Sequence, residues 1–126
     1  MTENEISKIV LDAAIEVHRT LGGPGPVENV YEEALAHELG LRGLQVKRKH
    51  RVPIVYKGKQ LGDPLSVDLL VEERVVIACK ATTTHHPVFE AQTLTYLRLL
   101  DLRLGLLVNF GQRLAKDGFR RVVNGL

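Results

Sequence analysis

With 126 residues, 44% of them hydrophobic and 25% charged, the chain has the length and balance of one globular domain, enough to bury a core and too little for two ordinary domains. A formal charge of +2 permits contact with phosphates but falls far short of a strongly basic nucleic-acid-binding composition. Cys79 is the only cysteine, which excludes an internal disulfide and a cysteine-based zinc cluster within the chain, and no stretch nears the roughly 18 uninterrupted apolar residues of a membrane helix.

The start, Met1-Thr2-Glu3-Asn4-Glu5, is acidic and lacks the basic and apolar regions of a secretory signal, so a cytoplasmic location is expected. Ile6, Ile9, Val10, Ala13, Ala14, Val17 and Leu21 recur at spacings of three and four and predict a helix over roughly residues 4–20. Leu21-Gly22-Gly23-Pro24-Gly25-Pro26 stops it and turns the chain. A second helical pattern begins near Glu28, carries Val30, Tyr31, Ala34, Leu35 and Leu39, and ends at Gly40 to Gly43. An acid in the first turn suits the helix dipole, which by itself explains Glu28.

From Gln45 to Tyr56 the pattern is extended, although Pro53 demands an edge position or an irregularity. Lys57-Gly58-Lys59 reads as a turn. Ser66 to Val71 and Arg74 to Ala81 are β-branched-rich segments around Glu72-Glu73, the pattern of a hairpin of central strands. Pro87 can open a third helix through about Leu100, with Val88, Ala91, Leu94 and Thr95 as inward positions. Leu104 to Asn109 is a buried strand, and Asp117-Gly118 a turn into a last strand, Phe119 to Val123. The order implies one α/β domain over residues 1–126: a mixed central sheet flanked by helices, the third helix crossing between parallel strands.

Two basic runs stand out, Arg42 with Lys47-Arg48-Lys49-His50-Arg51, and Arg113, Lys116, Arg120 and Arg121. Either can track a phosphate backbone; as isolated runs they read more simply as solvated charge. His85 and His86 invite a transition-metal reading, but adjacent imidazoles rarely chelate one ion and no helical His-x-x-x-His spacing is present. They read as loop residues, and Cys79 as a small buried apolar residue rather than a nucleophile.

Gly25-Pro26-Val27-Glu28-Asn29-Val30-Tyr31 fits the pattern G-x-x-E-x-x-Y, followed by Asp68 on a strand, Lys80 on the next, and Glu90-Ala91-Gln92 with Tyr96 on a helix. This order resembles the GxxExxY proteins, a branch of the PD-(D/E)XK nuclease-like superfamily, over nearly the whole chain. The resemblance implies a restriction-endonuclease-like fold and metal-dependent phosphodiester hydrolysis on DNA or RNA, with Mg²⁺ or Mn²⁺ as cofactor. It implies Glu28, Asp68, Lys80 and Gln92 as catalytic residues, Tyr31, Glu90 and Tyr96 as supporting ones, and Glu28, Asp68 and the backbone carbonyl of Cys79 as metal ligands.

One position departs from that pattern. Residues 78 and 80 share a strand face while Cys79 points to the other, so a carboxylate at 78 would stand beside Lys80. The superfamily has Glu or Asp there; this chain has Ala78. A hard cation prefers carboxylate, carbonyl and water oxygens, so losing one carboxylate weakens its binding, with Glu28 and then Glu90 as the acids placed to compensate. The expectation is a nuclease-like protein with weakened or absent catalysis. The alternative is a non-catalytic module on the same fold that binds nucleic acid or protein. A homodimer is compatible with so small a domain.

Overall fold

The computed structural model describes residues 1–126. Helix α1 (Glu3–Thr20) begins with a capping box: the Thr2 hydroxyl accepts from the Glu5 N–H, and the Glu5 carboxylate accepts from the Thr2 N–H. Its apolar stripe, Ile6, Val10, Ala13, Ala14 and Val17, is buried as the periodicity requires. Helix α2 (Glu28–Leu41) adds Tyr31, Leu35 and Leu39 to the same layer.

The strands are β1 (Val46–Val52), β2 (Val55–Tyr56), β3 (Lys59–Gln60), β4 (Leu65–Val71), β5 (Val75–Lys80), β6 (Leu104–Asn109) and β7 (Phe119–Val123), with helix α3 (Pro87–Leu100) between β5 and β6. Five of them form a mixed sheet in the order β1-β4-β5-β6-β7. All neighbours are antiparallel except β5 and β6, which α3 links as the expected crossover. Residues of β4, β5 and β6 pack on α1 and α2 through Leu69, Val71, Ile77, Cys79, Leu106 and Val108. Val67, Leu70, Val76 and Val122 join Leu97 in a smaller cluster on the α3 side. Burial on both faces explains why β5 and β6 read as continuous apolar runs, each such side chain contributing about 1.5–3 kcal/mol.

Three local expectations change. The extended segment predicted from Gln45 to Tyr56 ends at Val52, and residues 55–60 form a separate small hairpin whose turn residues Lys57 and Gly58 both have positive φ. On α3 the buried residues are Thr93 and Leu97, with Leu94, Tyr96 and Leu100 packed beside them, whereas Val88, Ala91 and Thr95 are exposed. This helix is apolar on several sides, so periodicity does not choose its inner face. The contact with β6 does: a Cβ on Gly105 would lie 2.5 Å from Thr93 Cγ2, and the Thr93 hydroxyl donates to Phe89 O within the helix. Finally, the turn expected at Asp117-Gly118 is longer, a 3-10 turn over Ala115–Gly118 that leads into β7.

Candidate functional site

Where β4 and β5 stop pairing, polar side chains enter. The ladder runs through Val71–Val75, Leu70–Val76 and Leu69–Ile77 and goes no further. Beyond it the Cys79 N–H donates to Asp68 Oδ2 at 2.8 Å, so a carboxylate takes the place of the next backbone acceptor. Asp68 is thereby fixed between the strands. Burial lifts its pKa above the ordinary aspartate value, Glu32 acts in the same direction, and the Cys79 N–H, Lys49 and Lys80 oppose the rise.

Helix α2 brings two acids toward this opening. Glu28 stands in its first turn with its side chain reaching solvent. Desolvation by the neighbouring protein raises its pKa, Lys80 counteracts this, and Asp68 and Glu32 add to it. One turn later Glu32 is only 2% exposed, and no backbone or neutral side-chain donor reaches either of its carboxylate oxygens. Cations approach it from β1 instead: Lys49 Nζ is 2.9 Å from Glu32 Oε2 and 3.9 Å from Asp68 Oδ1, while Arg48 lies 3.6 Å from the same Glu32 oxygen. Glu32 holds the Lys49 ammonium above the ordinary lysine pKa.

The other predicted residues are arranged as follows. Lys80 ends β5, and its ammonium lies 4.7 Å from the centre of the Phe89 ring, a cation–π contact, without entering any of the ion pairs. Ala78 is buried and contributes only a methyl group. Cys79 meets Asp68 through its N–H, and burial pushes its thiol pKa up, which makes it an unreactive packing residue. On α3, Phe89, Gln92 and Tyr96 succeed one another by three and four residues and so share one stripe. Gln92 is exposed on that stripe, and Tyr96 has its hydroxyl pKa raised by burial and by Asp68. Glu90 is drawn aside to His85, at 2.6 Å.

Tyr31 faces the core. It stacks on Phe110 at 4.8 Å and its hydroxyl donates to Gly23 O at 3.0 Å. A Cβ on Gly25 would come within 2.6 Å of that hydroxyl. The glycine and tyrosine of the G-x-x-E-x-x-Y pattern thus lock the 22–26 turn onto α2, and Glu28 is the member left facing the opening.

Asn109, at the end of β6 beside Lys80, organises the loop that follows the lysine. Its Oδ1 accepts from the N–H groups of Thr82 and Gly111, and its Nδ2 donates to Thr82 Oγ1. The sequence pattern did not single out Asn109 or Glu32, and it marked Lys49 only as one member of a basic run. A signal existed for Glu32, since 31, 32, 35 and 39 trace one helix stripe and an acid there is out of place among apolar residues. For Lys49 there was none. The largest cleft, about 380 Å³, opens elsewhere, between α1 and residues 113–116. A smaller one, about 290 Å³, lies between Pro24-Gly25-Pro26 and Ala81, Thr83 and Gly111, beside the end of β5.

A hard divalent cation needs several converging oxygens. No three acidic, histidine or cysteine side chains converge on one point here. Glu32 and Asp68 supply two carboxylates, of which Asp68 Oδ2 is already occupied by an N–H and both face Lys49. As arranged, these side chains do not fit a resident Mg²⁺ or Mn²⁺.

The chain matches the family model of the PD-(D/E)XK nuclease superfamily over residues 4–122. It therefore belongs to that superfamily, and its mixed five-stranded sheet flanked by helices is the restriction-endonuclease-like arrangement expected from the sequence. No curated protein and no solved structure gives a significant match to it. No helix is long and apolar enough to cross a membrane.

Proposed function

We propose that this chain is a nuclease-like protein of the GxxExxY branch, a single domain that binds nucleic acid and in which metal-dependent phosphodiester hydrolysis is weakened or lost. The observation that carries this reading is Ala78, buried on the face of β5 that also carries Lys80, where a carboxylate would complete a set with Asp68. Glu28, Asp68 and Lys80 remain as the catalytic constellation, with Gln92 exposed for a phosphate and Tyr96 and Glu90 in support. Mg²⁺ or Mn²⁺ at Glu28, Asp68 and the Cys79 carbonyl is the cofactor such chemistry calls for, and the poor fit of the present side chains to it accords with weakened or lost hydrolysis.

Lys80 supplies a cation for a phosphate oxygen, steadied on Phe89 and in none of the close ion pairs. For the phosphate backbone, the second basic run is the better track. Arg42, Lys47, Arg48 and Lys49 are all engaged by Glu38, Glu73, Glu32 and Glu33. Arg113, Lys116 and Arg120 are exposed beside the loop that follows β6. The non-catalytic binding module keeps the same Lys80 and the same basic track. A cytoplasmic location and a homodimer complete the reading.

Cleavage of single- and double-stranded DNA and RNA in Mg²⁺ or Mn²⁺ tests it, together with salt-dependent binding. The expected result is little or no cleavage, with association that needs no metal, weakens as salt rises, and falls in Arg113→Ala with Lys116→Ala. Cleavage at the rate of an efficient nuclease that disappears in Asp68→Ala overturns the weakened-catalysis reading. If no nucleic acid associates at low salt, nucleic-acid binding is overturned and a protein partner becomes the object.

A further inference from the structure

We propose that Lys49 is a built-in cation of this site: its ammonium occupies the space between Glu32 and Asp68 and keeps a divalent ion from binding there. This inference rests on the weakened-nuclease reading and names a second cause for the weakness, separate from Ala78.

The first support is the state of Glu32. A carboxylate only 2% exposed and reached by no backbone or neutral side-chain donor has lost its hydration and needs a positive charge close by. Of the cations nearby, Lys49 alone reaches both acids, at 2.9 Å from Glu32 and 3.9 Å from Asp68. Arg48 approaches Glu32 at 3.6 Å and pairs also with Glu33, and Lys80 is turned to Phe89.

The second support is independent and lies in the backbone. Arg48 and His50 face Leu69 and Val67 across the β1–β4 ladder, but Lys49 between them is out of the pairing and has φ +51°. Neighbours on a regular strand point to opposite faces. Arg48 and Lys49 nevertheless both reach Glu32, so the left-handed residue is what redirects one of them. A lysine pays a steric penalty for that conformation, and the local structure holds it there.

An ammonium wedged between two carboxylates does the electrostatic work of a bound cation and repels another one. It follows that restoring the acid at position 78 is not enough. With Lys49 in place, Ala78→Glu gains little Mn²⁺ affinity. Without it, Glu32 and Asp68 become available.

Mn²⁺ binding by calorimetry and by thermal shift, with no nucleic acid present, tests the proposal on the full chain. Lys49→Gln replaces the ammonium donor at Glu32 with a neutral amide and so removes the charge. It is expected to bind Mn²⁺ about tenfold more tightly than the unaltered chain, a change of about 1.4 kcal/mol. Its melting temperature should rise by about 5 °C at saturating Mn²⁺, where the unaltered chain moves little. Adding Asp68→Asn should abolish the gain, and Ala78→Glu with Lys49→Gln should exceed Ala78→Glu alone. A Lys49→Gln chain that folds only when Mn²⁺ is added also supports the proposal.

The proposal is overturned if folded Lys49→Gln binds Mn²⁺ no better than the unaltered chain, or if Ala78→Glu binds equally well with and without Lys49. It is equally overturned if Lys49→Gln stays unfolded in Mn²⁺ while Lys49→Arg folds normally. Those outcomes leave the weakened-nuclease reading standing, which fails separately, on efficient cleavage by the unaltered chain.

Discussion

The β4–β5 hairpin has two ends that differ in kind. At the turn end, Leu69, Leu70 and Val71 face Ile77, Val76 and Val75 in regular register, and all six are buried. At the other end the ladder stops, Asp68 replaces a backbone acceptor, and Ala78, Lys80, Glu32 and Lys49 gather around the opening. The dry end supplies stability and fixes the register. The open end uses that register to hold charged groups together, at a cost the dry end offsets.

Changes at the two ends should therefore have different signatures. At the dry end, Ile77→Ala removes a fully buried side chain from the main core and should cost about 4 kcal/mol in urea unfolding. Nucleic-acid affinity of the molecules that remain folded should not change. A loss of affinity larger than the loss of folded protein would break the division between the ends.

Asn109→Ala comes next, because it strands the N–H groups of Thr82 and Gly111 beside the open end. A loss of about 2 kcal/mol is expected. It should come with faster amide exchange over residues 82–86 and little change in β4. Uniform exchange across the sheet would show that Asn109 holds the whole fold and not this loop.

The turn that presents Glu28 offers a smaller effect. Gly25→Ala places a methyl against the Tyr31 hydroxyl and should destabilise by about 1–2 kcal/mol. Tyr31→Phe loses the bond to Gly23 O, worth about 1 kcal/mol. The double variant should cost less than the two combined, since removing the hydroxyl relieves the clash. Strict additivity in thermal unfolding would dissociate the glycine from the tyrosine.

The smallest effect reverses sign. Because the folded pKa of Asp68 is raised, the stability linked to its protonated form is complete below its ordinary value of about 3.9 and is lost as pH rises through the folded value. Asp68→Asn escapes that loss. It should be more stable than the unaltered chain at pH 7, with the difference shrinking toward pH 4 in urea unfolding. A variant less stable at pH 7 would mean that Lys49 and the Cys79 N–H outweigh the desolvation of Asp68.

Much of this architecture was legible in the residues. The stripe from Ile6 to Val17, the β-branched runs on either side of Glu72-Glu73, and Pro87 at the start of α3 each carry their own period or punctuation, and each formed the expected element. The inner face of α3 was not legible, because apolar residues surround the helix and only the gap at Gly105 selects Thr93 and Leu97. At the candidate site, Asp68, Lys80 and Glu28 stand out by pattern, and the charge of Lys80 influences both acids while that of Asp68 also influences Glu28. Tyr31 was identifiable too, but it packs against Phe110 and ties down the turn.

By itself the sequence determined the order of helices and strands, their assembly into a mixed sheet, and the absence of a carboxylate at position 78, because these depend on local period and residue identity. Only the tertiary structure decided that Glu32 is buried with no partner but the cations of β1 and that Lys49 stands against both Glu32 and Asp68. That pairing joins a helix to two strands and turns on one left-handed residue in β1. A lysine in a basic run gives no sign of its backbone angle or of the acid it will meet.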